Sequence, residues 1–131
     1  VKALDTPVLL SILHGAPAAK SLLKSLSGEE LATTEANLLE LSALAARAPG
    51  GSRAQRIRGL ERLRRRLTVL PIDSQAHVEA TARLTSDRPG GLFLWAMYGA
   101  LQAHGCAELI TDTKGNLPGG HWRFKVRRIR L

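Results

Sequence analysis

The chain is poor in the groups that staple small secreted domains or build thiolate metal centres. It has one cysteine, Cys106, so an internal disulfide is excluded, and no Cys/His spacing suggests a zinc site. Two Trp, two Phe and one Tyr leave little for extensive base stacking along a nucleic acid. No apolar run approaches the ~20 residues needed to span a bilayer, and the N-terminus lacks the basic-then-apolar order of a signal peptide. These absences predict a soluble, cytoplasmic protein. A glycine-rich phosphate loop of the Walker or dinucleotide type is missing too. Val1 stands where a methionine would start a chain, which implies a processed or trimmed beginning.

Acids are also scarce. Nineteen Lys and Arg face eleven Asp and Glu across 131 residues, a formal charge of +8, and the pI is near 10.8. Such a surface favours polyanions, nucleic acid above all. The length suits one domain, residues 1–131, large enough to bury a core without staples.

The chain is organised around its opening stretch, VKALDTPVLLSIL. Val1 to Leu4 reads as a buried strand ending on Asp5, followed by a helix with Thr6 as N-cap and Pro7 at its first position, where a missing N–H costs nothing. Ligands of open α/β sheets bind beyond the carboxyl ends of the strands, so Asp5 is the first candidate for chemistry. Pro17 to Leu26 has the spacing of a short amphipathic helix. A strand over about Leu31 to Thr33 leads to Thr34 as the cap of a helix from Glu35 to about Arg47. Inside that helix Glu40 has Ala36, Asn37, Ala43 and Leu44 as its helical neighbours. A carboxylate there is desolvated and needs a partner, a proton or a cation, unless it lies on a narrow solvent strip.

Ser52 to Leu67 is the clearest helix, with Ser52 and Gln55 at capping-box spacing and Ala54, Ile57, Leu60, Leu63 and Leu67 in one apolar stripe. Seven arginines surround that stripe with Glu61 as the only acid, too few partners for mutual pairing. The pattern suits phosphate contact or an acidic protein partner, against the alternative of a solvated face. A strand over Thr68 to Ile72, a helix from Ser74 to Leu84, a loop from Thr85 to Gly91 and an apolar helix from Leu92 to Ala103 follow. Ala96, Gly99, Ala100 and Ala103 suit close packing on a sheet. Glu108 to Thr111 is a strand ending on Asp112, and the basic, alternating tail from Trp122 to Leu131 fits an edge strand. The four histidines share no helical spacing and read as structural or surface residues.

Strands alternating with helices predict an α/β three-layer sandwich with a mainly parallel central sheet. Short right-handed crossovers gather the strands' carboxyl ends on one edge. Asp5 and Asp112 belong to that edge, and Glu35 and Glu40 follow another strand. Acids gathered there repel one another unless a hard cation such as Mg²⁺ or Mn²⁺ joins them.

In this order and spacing, ALDTPVLLSILHG, LATTEANLLELSALA and GALQAHGCAELITD resemble the PIN domains, in particular VapC-type toxins of prokaryotic toxin–antitoxin pairs. The resemblance covers essentially the whole length. It implies a metal-dependent endoribonuclease in which Asp5, Glu40 and Asp112 hold Mg²⁺ or Mn²⁺, with Thr6, Glu35, Thr111 and Asp87 in support. Arg56, Arg62, Arg65 and Arg127 would grip the RNA backbone. A homodimer and an antitoxin protein are implied as partners. Two departures stand out. The helix GGLFLWAMYGAL carries no acid where the family usually has one, which leaves Asp87 as the nearest substitute. The last acid directly follows Thr111, whereas the family commonly has it at the position of Thr113. They leave an alternative open: a catalytically impaired PIN-like module that binds RNA or a protein partner without cutting.

Overall fold

Each short apolar run forms a strand and each longer amphipathic run a helix, and the computed structural model describes residues 1–47, 51–84, 91–113 and 117–131. In chain order these are β1 (Lys2–Leu4), α1 (Thr6–Leu13), α2 (Pro17–Ser25), β2 (Leu31–Thr34), α3 (Glu35–Arg47), α4 (Arg53–Arg65), β3 (Thr68–Leu70), α5 (Ser74–Arg83), α6 (Leu92–Ala103), β4 (Glu108–Thr111) and β5 (Lys125–Arg128). The strands lie in the order β3-β2-β1-β4-β5, and every pairing is parallel. The expected α/β sheet is therefore present. From β1 the chain builds outward through β2 and β3, then returns to the other side of β1 for β4 and β5. That reversal puts the switch point between β1 and β4, where a crevice opens beyond the carboxyl ends of the strands.

Alternation along the strands divides the core between the two faces of the sheet. Ala3 and Leu109 join Met97, Tyr98, Leu101 and Phe124 on one face. Leu4 and Ile110 join Val8, Leu9, Leu41 and Leu63 on the other. The basic tail forms edge strand β5, all of it exposed. No helix among the described residues is long and apolar enough to cross a membrane.

Three local expectations are corrected. The cap of α1 is Asp5, whose carboxylate accepts from the Val8 N–H; Thr6 is already helical. An aspartate is as good an N-cap as a threonine, and the strand-to-helix turn falls one residue earlier. The small residues of α6 do not all face the sheet: a Cβ on Gly99 would stand 2.2 Å from the Ala76 carbonyl oxygen and 2.9 Å from the Ala80 Cβ. Gly99 thus lets α5 approach α6, while Met97, Tyr98 and Leu101 fill the core beneath. Finally, the apolar stripe of α4 is only partly covered. Leu63 is buried but Ile57 is 47% exposed.

Candidate functional site at the carboxyl edge of the sheet

Strand β1 delivers Asp5 to the switch point, where it is only 3% exposed. One carboxylate oxygen accepts from the Val8 N–H at 3.4 Å. The other accepts from the Thr111 hydroxyl and, at 3.3 Å, from the Thr113 hydroxyl. The Thr113 N–H in turn donates to the Thr111 oxygen at 3.0 Å. Burial pushes the Asp5 carboxyl above its ordinary range; the Thr111 hydroxyl, the Val8 N–H and the Thr113 hydroxyl oppose that rise, and the nearby charge of Asp112 adds to it.

A second set of buried polar groups lies beside the first. The Asn37 amide donates to the Thr6 oxygen at 3.1 Å, and its carbonyl oxygen accepts from the Thr34 hydroxyl at 2.7 Å. The Asn37 N–H donates to Thr34 at 3.2 Å, which makes Thr34 the helix cap that its position predicts. The Thr33 hydroxyl donates to the Leu4 carbonyl at 2.9 Å. Side chains from α1, β2 and α3 are thereby joined, beside the Asp5 set that reaches the end of β4, and buried polar groups are stable only when paired in this way.

Tyr98 of α6 approaches the same edge from below. Its hydroxyl is buried without a hydrogen-bond partner among the described residues. Burial pushes its pKa up to about 12, with the Arg128 charge lowering it and the Asp5 charge raising it. Above Asp5 an open cleft of about 720 Å³ is lined by Asp112, Thr113, Arg128 and Arg130 together with Ile129 and Leu131. Arg128 donates to the Thr113 carbonyl at 2.9 Å.

The structure brings together some of the expected acids and not others. Asp5 and Asp112 meet at the edge, with Thr6 and Thr111 inside the surrounding hydrogen bonds. Glu40 does not join them: it is exposed, on a face of α3 where Leu39 and Leu44 are exposed as well. Of the helical neighbours given to it, Asn37 is buried but Ala43 and Leu44 are exposed, and Glu40 shares their exposure. The Glu35 carboxylate instead accepts the Ile72 N–H at 3.0 Å, tying α3 to the chain after β3. Asp87 lies outside the described residues. Among the described residues no three of His, Cys, Asp or Glu form a group that could hold a metal ion. The groups present therefore do not fit the three-carboxylate centre expected for Mg²⁺ or Mn²⁺.

Among the arginines expected to grip RNA, Arg62, Arg65 and Arg127 are exposed. Arg56 has another task. Its guanidinium donates to the carbonyls of Ala45 at 2.9 Å and Gly51 at 3.2 Å, serving the last turn of α3, whose carbonyls have no partner within the helix. Three site residues escaped the sequence reading: Asn37, Thr113 and Tyr98. The spacing of Thr34 and Asn37 is that of a side-chain cap and was a usable signal; Tyr98 offered none.

A parallel sheet with an aspartate at its switch point is common to many folds, and the sequence itself decides among them. The family described as PIN domain matches residues 2–113. This chain belongs to the PIN domain family. Solved PIN-fold structures extend the likeness to the whole chain. VapBC2 from Rickettsia felis, bound to a DNA fragment from its promoter, superposes with a TM-score of 0.78 at 14% identity, covering 98% of each chain. DNA-bound VapBC from Salmonella typhimurium gives 0.72 at 18% identity, covering 97% of this chain and 96% of that one. A sarcin-ricin loop cleaving VapC toxin from Mycobacterium tuberculosis gives 0.63 at 17% identity, covering 83% and 87%. At these identities the likeness is one of fold. No curated protein sequence matches the chain.

Proposed function

We propose that this PIN domain is the toxin-like member of a toxin–antitoxin pair, that RNA is its polyanionic ligand, and that it holds RNA without metal-dependent cleavage. The observation that carries this reading is the separation of charge. Arg62, Arg64 and Arg65 on α4 and Arg66 just after it are exposed, and the single acid of that helix, Glu61, pairs with Arg64 alone among the described residues, at 4.0 Å. Arginines left without acids are available to phosphates, which guanidinium groups bind bidentately. Arg127 on β5 adds a cation at the opposite edge of the sheet.

A protein partner is supported by the groove beside α4. It has a volume of about 240 Å³ and is lined by Leu10, Leu13, Ala45 and Gly59, with Arg56 and Arg62 at its margin. Apolar walls with cations at the margin suit an amphipathic acidic segment, and VapBC structures are complexes of such pairs. Leu92 and Phe93, exposed at the start of α6, support a homodimer seam.

Cleavage is the second reading. The nearness of Asp112 to Asp5 favours it, since Mg²⁺ is often held by one or two carboxylates plus substrate phosphates. The two readings part in one experiment: purified chain incubated with RNA in EDTA, Mg²⁺ or Mn²⁺, followed by native and denaturing gels. Salt-sensitive retention of intact RNA in all three conditions is expected. Cleavage that needs the metal and disappears in Asp5→Asn would establish the nuclease instead.

A further inference from the structure

The polar groups at the carboxyl edge differ in kind from those a cation recruits. A hard divalent ion needs oxygen lone pairs turned toward a common point. Around Asp5 the neighbouring groups turn protons toward it: the Val8 N–H and the hydroxyls of Thr111 and Thr113. The Thr111 hydroxyl is not free to reverse, because its oxygen already accepts the Thr113 N–H at 3.0 Å. On the α3 side, Asn37 spends its carbonyl oxygen on Thr34 and its amide on Thr6. The Asp5 carboxylate is thus met by hydrogen-bond donors on both oxygens, with Asp112 as the one further acid near it, at the place where three or more carboxylates would otherwise need a metal.

We infer that the Asp5 edge is a metal-free polar latch, closed by Thr111, Thr113 and Asn37, which locks the start of α1 to β4 and α3. This rests on the PIN-fold reading of the chain and deepens the non-cleaving one. It assigns positions 37 and 113 as the two corners at which neutral side chains keep a cation out. Asn37 is buried against Thr6, the residue after Asp5, and Thr113 touches the Asp5 carboxylate directly, so these two positions are the ones at which acids would lie beside Asp5.

The test uses Mn²⁺ as the probe and needs no RNA. The full chain is titrated against Mn²⁺ while the free-ion paramagnetic resonance signal is followed, and thermal unfolding is compared in EDTA and in Mn²⁺. The wild-type chain should leave the free signal undiminished and unfold at the same temperature in both. The double variant Asn37→Glu with Thr113→Asp should take up Mn²⁺ and unfold at a higher temperature with the ion than in EDTA. Uptake by the wild type that Asp5→Asn abolishes would overturn the inference; uptake that survives Asp5→Asn lies elsewhere and leaves it standing. A folded double variant that ignores Mn²⁺ would refute the two corners. If the double variant does not fold, the wild-type and Asp5→Asn titrations decide alone. RNA retention, measured separately in EDTA, can fail without altering any of these outcomes.

Discussion

The buried edge around Asp5 and the exposed face of α4 are both rich in polar groups, yet they are built on opposite rules. At the edge each side-chain oxygen of Asp5, Thr6 and Asn37 has a partner inside the protein, so these three groups are satisfied without a ligand. On α4 the exposed guanidinium groups of Arg62, Arg64 and Arg65 outnumber the one acid of that helix, and phosphates from outside can supply the counter-charge. Arg56 marks the boundary between the two rules: it shares a helix with the exposed arginines but turns inward to the carbonyls of Ala45 and Gly51. Polar density alone therefore does not identify a binding site. Satisfaction separates groups that hold the fold from groups that reach for a partner.

The largest expected effect breaks the closed side of this contrast. Asn37→Leu removes the two hydrogen bonds that its side-chain amide makes with Thr34 and Thr6, while the backbone N–H and carbonyl of residue 37 keep their bonds to the same two hydroxyls. At about 1 kcal/mol for each buried hydrogen bond removed, a loss of about 2 kcal/mol is expected in urea unfolding, with the same slope as wild type. A loss below about 1 kcal/mol would mean that the edge is not the latch described.

A smaller effect tests the open side. Arg62→Glu with Arg65→Glu should leave stability within about 0.5 kcal/mol of wild type, as for surface changes away from packed features. RNA affinity should fall at least about tenfold, and the slope of log affinity against log salt should become shallower by about 1.4, the figure for two single-strand phosphate contacts. Filter binding across a salt series measures both. Lost stability with unchanged RNA binding would reverse the roles given to the two regions.

The smallest effect is a pH dependence that sharpens the assignment of charge. Because burial raises the Asp5 carboxyl above its ordinary value of 3.8, the folded chain binds that proton more tightly than the unfolded one. Asp5 therefore adds stability as pH falls from neutral through its folded pKa, and the gain is complete below the unfolded value. Asp73, lowered chiefly by the Ala76 N–H, contributes with the opposite sign: its stabilisation is present above the ordinary value and is lost as pH falls through its folded pKa. In Asp5→Asn the gain on mild acidification should vanish, while Asn keeps the cap on α1. Urea midpoints from neutral pH down to about the reference carboxylate range record the difference.

Much of the architecture was legible before any coordinates. The helix over 92–103, the strand over 108–111 and the cap Ser52 follow from periodicity and from a side chain that bonds its own backbone a few residues on. Such signals are local, so they survive in a linear reading. The acidic edge was legible only in part. Asp5 and Asp112 follow strands directly, and parallel topology sends strand ends to one side. Glu40 stands on a helix, where the surroundings of a side chain depend on how the helix packs rather than on its place in the chain.

That distinction sets the division between chain and fold. Element order, parallel pairing, net positive charge and the position of Asp5 at a strand end follow from residue type and short-range spacing. Packing alone decided that α3 offers the amide of Asn37 to the edge rather than the carboxylate of Glu40, that Arg56 turns inward, and that Thr113 closes over Asp5. Which groups face one another depends on how helices rotate to bury their apolar sides, and that energy is summed over the whole core rather than written in any one segment.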